Sequence, residues 1–235
     1  MFARYIVSAI LMMAMLPSPV CADEAHGGGI FHAFQLEVGG GLIDDGSSVA
    51  EWDFEGWVGS DENKLWLKSE GERSDGETEQ AEFWAMYSRN ISEFWDIQIG
   101  IRHDTQPDSL AHAVVGFNGL APYFLETEAH LFVSEDGDAS VRIKQEMELL
   151  FTQRLIAEPY YEIDLYAQDV PELDIGAGLS AAELGIQTRY EITRDFAPYL
   201  EVKYERKLGE TSSIAKSHGE DSGALIGTIG IKFLF

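Results

Sequence analysis

The sequence predicts an all-β protein: a single antiparallel transmembrane β-barrel of about twelve strands, with both termini periplasmic. Three observations predict it. From residue 30 onward, segment after segment alternates apolar with polar or charged side chains, the period of a strand with two unlike faces. The chain opens with Arg4, an apolar run from Tyr5 to Leu16, Pro17 and Pro19, then Val20-Cys21-Ala22, which has the form of a signal peptide cleaved before Asp23. No later stretch reaches about 18 uninterrupted apolar residues, so no transmembrane helix is expected. In a soluble sandwich the apolar face would be buried. In an exported barrel it meets lipid, and the charged face meets a wet lumen.

The expected organisation is a signal peptide over 1–22, a short periplasmic arm over 23–32 and the barrel over 33–235. The first strand runs near Ala33–Gly40, with Phe34, Leu36 and Val38 opposite Gln35 and Glu37. The second, Ala50–Gly59, sets Trp52, Phe54 and Val58 against Glu51, Asp53 and Glu55. In the third, Asn63–Glu70, Leu65 and Leu67 oppose Lys64, Trp66, Lys68 and Glu70. The fourth, Thr78–Ser88, places Phe83 and Tyr87 against Gln80, Glu82, Trp84 and Met86. The fifth, Phe94–His103, places Ile97, Ile99 and Ile101 against Asp96, Gln98 and Arg102. The sixth, Ala111–Asn118, has no clear parity. The seventh, Tyr123–Val133, carries Glu126, Glu128 and His130 on its polar face. The eighth, Val141–Leu149, opposes Ile143 and Met147 to Arg142, Lys144, Glu146 and Glu148. The ninth, Pro159–Gln168, opposes Tyr161, Ile163 and Leu165 to Glu162 and Asp164. The tenth, Ala182–Ile192, opposes Leu184 and Ile186 to Glu183, Gln187 and Arg189; the eleventh, Pro198–Arg206, opposes Leu200 and Val202 to Glu201, Lys203 and Glu205. The last is Ala224–Phe235. Lengths of roughly 9–11 residues suit a bilayer crossing.

One set of connections is polar and often long: 43–48, 69–77, 104–109, 134–139, 169–181 and 207–223. The other set is mostly tighter. That alternation matches long loops outside and short turns in the periplasm, and closure removes the sheet edges that lipid does not tolerate.

The formal net charge is −25, and removal of the signal, whose one charge is Arg4, takes it to −26. Such acidity argues against nucleic acid as a partner and favours cations. The single cysteine, Cys21, would leave with the signal, so no disulfide is expected. A lipidated Cys21 is the rival reading, for which Ser18-Pro19-Val20 is a poor context. On the inward face, Lys64, Lys68, Arg102, Arg142, Lys144, Arg189 and Lys203 accompany a larger number of acids. These charges are expected to pair across the lumen, filling it rather than leaving a wide pore.

Certain words in the chain carry a resemblance. They include Leu65-Trp66-Leu67-Lys68-Ser69-Glu70-Gly71-Glu72, Tyr87-Ser88-Arg89-Asn90-Ile91 and Phe94-Trp95-Asp96-Ile97-Gln98-Ile99-Gly100-Ile101-Arg102. Further on stand Gly119-Leu120-Ala121-Pro122-Tyr123-Phe124, Thr152-Gln153-Arg154-Leu155-Ile156, Arg189-Tyr190-Glu191-Ile192 and Phe196-Ala197-Pro198-Tyr199. In this order they resemble the copper resistance protein B family, from about Gln35 to Phe235. The resemblance implies a barrel in the outer membrane of a Gram-negative bacterium that binds or handles copper beside a periplasmic multicopper oxidase. Members of the family often carry a long Met- and His-rich segment before the barrel. The stretch from Asp23 to His32 holds His26 and His32 and no methionine, so high-capacity binding by such an arm is not expected here.

Copper(I) prefers thioether and imidazole; copper(II) prefers imidazole with carboxylate. The candidate ligands are His130 and Met86 on the polar face, then His112, His103, His32 and His26. Which oxidation state is bound is left open. Outside the signal no His-x-His, His-x₃-His or Met-x-Met spacing occurs. An enzyme is not expected. Gly176-Ala177-Gly178-Leu179-Ser180 is not a nucleophile elbow, because its serine is in the wrong place. A narrow channel for ions or small solutes is the alternative reading.

Overall fold

The computed structural model describes residues 29–235; the predicted signal peptide and His26 lie outside the described residues. Twelve strands form one closed antiparallel barrel. They are β1 Phe31–Ile43, β2 Ser48–Gly59, β3 Asn63–Ser74, β4 Glu77–Ser92, β5 Trp95–Gln106 and β6 Leu110–Ala121. Then come β7 Leu125–Ser134, β8 Ala139–Glu146 with a short continuation Leu149–Leu150, β9 Leu155–Tyr166, β10 Gly178–Tyr190, β11 Phe196–Lys207 and β12 Gly223–Leu234. Every strand pairs with its sequence neighbour. The ring closes where β1 meets β12, from Gln35↔Leu234 to Ile43↔Ile226. Because the count is even, both described chain ends sit at one end of the barrel. No helix of the described residues is long and apolar enough to cross a membrane.

The alternation expected from the sequence holds at every strand whose parity was legible. Outward positions are apolar and exposed: Ile99 is 58% exposed, Leu200 59% and Ile229 67%. Exposure of this kind is tolerable only against lipid. At the end carrying the termini, Tyr87, Phe94, Tyr123, Phe124, Phe151, Tyr190 and Phe235 are all exposed, forming the aromatic girdle of a bilayer interface. An Ile99→Arg substitution, near the middle of β5, is expected to cost about 2–4 kcal/mol of folding free energy in lipid vesicles. Unchanged stability in a urea titration would mean that this face does not meet hydrocarbon.

Three local features differ from expectation. Strands run longer at the end opposite the termini, so that β3 continues through Ser74 and β5 through Gln106. Several connections expected to be long are therefore tight, residues 75–76 among them. The long ones are 167–177 and 208–222. The second of these contains a helix, α1 (Gly209–His218), whose Thr211 hydroxyl receives the backbone N–H of Gly176 at 3.0 Å and pins one long loop to the other. Finally, β8 is interrupted at Met147 and Glu148, opposite Pro159 of β9. A proline donates no ladder hydrogen bond, so the pairing lapses there and resumes at Leu149↔Ala157.

Candidate functional site

The lumen is divided lengthwise. One half, walled by β3–β7, is packed. Three rows of inward side chains stack there, each in register across neighbouring strands. Lys68, Trp84, Arg102 and His112 make the row nearest the long loops. Trp66, Met86, Gly100, Val114 and Phe132 make the next, and Lys64, Ser88, Gln98, Gly116 and His130 the third. Trp84, Met86, Val114 and Phe132 form an apolar cluster inside this otherwise polar interior, with Met86 and Val114 fully enclosed. Gly116 is needed beneath His130, because a Cβ there would collide with the imidazole ring.

The rest, lined by residues of β1–β5 and β8–β11, is open. It holds a cavity of about 610 Å³ that runs from Ile175 and Lys207 near the long loops to Gln35 and Glu158 near the opposite end. Sixteen Asp or Glu residues line it against six Lys or Arg, a surplus of ten acids.

The inward cations of the sequence are all paired, and two hold four carboxylates each. Arg142 reaches Glu70 at 3.2 Å, Glu82 at 3.3 Å, Glu162 at 3.2 Å and Asp164 at 3.1 Å, so one side chain ties β8 to β3, β4 and β9 across the lumen. Lys203 lies 2.6 Å from Glu51, 2.9 Å from Glu205 and 3.8 Å from both Glu72 and Glu183. Lys68 spans to Glu128 at 2.6 Å and Glu55 at 3.2 Å. Lys232, an inward cation of the last strand that the sequence reading did not single out, pairs with Glu37 at 2.8 Å. Its alternation with Ile231 and Phe233 was the available signal.

Of the expected ligands, His130 and Met86 do belong to the interior, in adjacent rows. Neither is free. His130 Nε2 meets Gln98 Oε1 at 2.8 Å, and its Nδ1 is 3.9 Å from a Glu128 carboxylate already held by Lys68. The Met86 sulfur is wrapped by the apolar cluster. His112 also points inward, settling the parity of β6. It is 8% exposed, its Nδ1 has no hydrogen-bond partner among the described residues, and that nitrogen lies 3.7 Å from Asp104 Oδ2. Asp104 Oδ1 is unpartnered too, and Asp104 lines the open half. His103 and His32 are exposed on the outward face, and the structure brings neither to the lumen. Among the described residues no three His, Cys, Asp or Glu side chains are grouped to hold a metal ion. Any metal taken up would keep water or exchange partners with the resident cations.

Residues 31–235 match the copper resistance protein B precursor family. A copper resistance protein B of Escherichia coli is 42% identical over 192 residues, covering 81% of this chain and 65% of its own length. A copper resistance protein B homolog of Pseudomonas syringae pv. tomato is 38% identical over the same shares. The chain thus spans about 65% of the length of these relatives. Among solved structures, a NanC porin superposes with a TM-score of 0.61 at 14% identity, over 84% of this chain and 98% of the porin. A KdgM porin gives 0.54 at 10% identity, over 86% and 99%. At such identities the likeness is one of fold.

Proposed function

The chain belongs to the copper resistance protein B family, and from that premise we propose that it is an outer-membrane barrel that contributes to copper resistance by gathering copper ions in its acidic half-lumen. The observation that carries the reading is the open cavity with ten more acids than bases. Low-dielectric walls lined by one sign of charge raise the local concentration of ions of the other sign. The carboxylates supply oxygen donors. His112, whose Nδ1 has no hydrogen-bond partner among the described residues and lies 3.7 Å from an Asp104 oxygen that Arg102 also holds, supplies an imidazole, the donor that favours copper(II) over calcium or magnesium. Copper is cargo here and exchanges with water. Both described chain ends lie at the short-turn end, which is the periplasmic face of this reading and the side on which a multicopper oxidase would meet the barrel.

The test is the metal content of the detergent-folded full chain after loading with copper or zinc in an excess of calcium. Selective retention of copper, lowered by His112→Ala and less by Met86→Ala, is the expected outcome, because Met86 is sealed from the cavity. Equal, weak uptake of both metals, indifferent to His112→Ala, would reduce the lumen to a generic cation sponge and sink the copper role for the barrel itself.

A narrow cation path is the second reading. It is favoured by the cavity reaching from one end of the barrel nearly to the other.

A further inference from the structure

At the floor of the open half, Gln187 of β10 is 6% exposed and lines the cavity. Its amide orientation is set by Nε2, which donates to Glu37 Oε2 at 2.6 Å. The carbonyl oxygen, Oε1, is then left without a partner among the described residues. An enclosed acceptor of this kind costs folding free energy unless something meets it.

Its lateral neighbours say what could. Glu158 of β9 and Glu201 of β11 are its direct register partners on either side. Directly opposite residues carry their Cβ atoms about 5 Å apart on one face, so three oxygen-bearing side chains stand in a row. Glu201 Oε1 accepts from the Tyr160 hydroxyl at 2.5 Å, and Glu158 Oε2 from Arg189 at 2.5 Å. One further oxygen remains on each carboxylate. The set is oxygen only, with no nitrogen or sulfur donor in the row.

We propose that Gln187, Glu158 and Glu201 form a site for a hard divalent cation of the calcium class, its coordination completed by water and distinct in chemistry from any copper site. All-oxygen sets of carboxylate, amide carbonyl and water are what such cations take, whereas copper favours nitrogen or sulfur. The cation would satisfy the Gln187 oxygen and offset part of the surplus charge where β9, β10 and β11 meet. The site goes beyond the copper reading and does not depend on it.

The test uses the detergent-folded full chain titrated with Tb³⁺, which emits when excited through a nearby tyrosine, here Tyr160, followed by displacement with Ca²⁺. One saturable, Ca²⁺-displaceable site is expected, and Gln187→Met should weaken it about tenfold or more. This substitution keeps size and net charge, so a diffuse acidic surface cannot sense it. Wild-type affinity in Gln187→Met, or emission that never saturates, would overturn the site. Should Gln187→Met fail to fold, as judged by heat-modifiable gel migration, Glu201→Gln replaces it with the same expected loss. His112→Ala should leave Tb³⁺ binding unchanged while lowering copper retention, so the two proposals fail separately.

Discussion

Replacing Arg142 by Met is expected to destabilise the folded barrel by about 3 kcal/mol, read as a shift in the urea midpoint in detergent or lipid vesicles. Arg142 is the common partner of Glu70, Glu82, Glu162 and Asp164, which come from β3, β4 and β9. Losing it removes four attractions, leaving Glu70, Glu162 and Asp164 without a cation among the described residues while Glu82 keeps Arg102 at 3.6 Å, in a partly dry interior. Breaking one buried pair costs about 3–5 kcal/mol because the surviving charge is uncompensated. The lower figure applies here because the same carboxylates border the open cavity, where water reaches them. Adding Glu82→Gln to Arg142→Met should recover part of the loss, since Glu82 is the most enclosed of the four. If Arg142→Met unfolds at the wild-type midpoint, the network does not hold the strands together.

The facing of most strands was legible for a simple physical reason. Lipid and a wet lumen are opposite solvents, and a period of two cannot satisfy both by accident. β6 was illegible because both of its faces carry apolar residues. Outward Ala113, Val115 and Phe117 oppose inward Val114, which packs into the apolar cluster. The same cluster was missed as a unit. Trp84, Met86 and Phe132 stood at inward positions of strands read for their charges, and their meeting depends on the register of four strands. Strand ends beyond the bilayer were also unreadable, since both faces there meet water and contrast is lost, as in the extension of β3 past Glu70 to Ser74.

The histidines show the same limit more sharply. His130 shares the polar face of its strand with Glu126 and Glu128 in the sequence, and it is enclosed in the lumen. Nothing in the sequence says that Gln98, thirty-two residues away, takes its Nε2. His112 carried a weaker signal, yet its Nδ1 is enclosed without a hydrogen-bond partner among the described residues, 3.7 Å from Asp104. Sequence alternation reports which side of the wall a residue occupies. Whether its donor atoms are spoken for depends on contacts across the lumen.

Phe132→Ala is expected to have the largest effect on permeation. The ring is 1% exposed, lies edge-on to Trp84 with centroids 5.1 Å apart, and carries the Arg102 guanidinium over its face at 4.4 Å. It therefore anchors the packed half and also holds in place an arginine that pairs with Asp104 at 2.7 Å. Truncation should cost about 3–5 kcal/mol through lost contacts and the space left behind, and water would enter that space because polar residues of the adjoining rows border it. In planar bilayers the wild-type barrel should pass only a small cation current along the open half. Phe132→Ala should raise that current while leaving its cation preference intact, because the sixteen wall carboxylates are untouched. A larger current with lost selectivity would place the discriminating groups in the packed half. An unchanged current in a folded Phe132→Ala barrel would mean that the ion-pair layer of Lys232–Glu37 and Arg189–Glu158 at the short-turn end closes the path, whatever the middle of the lumen does.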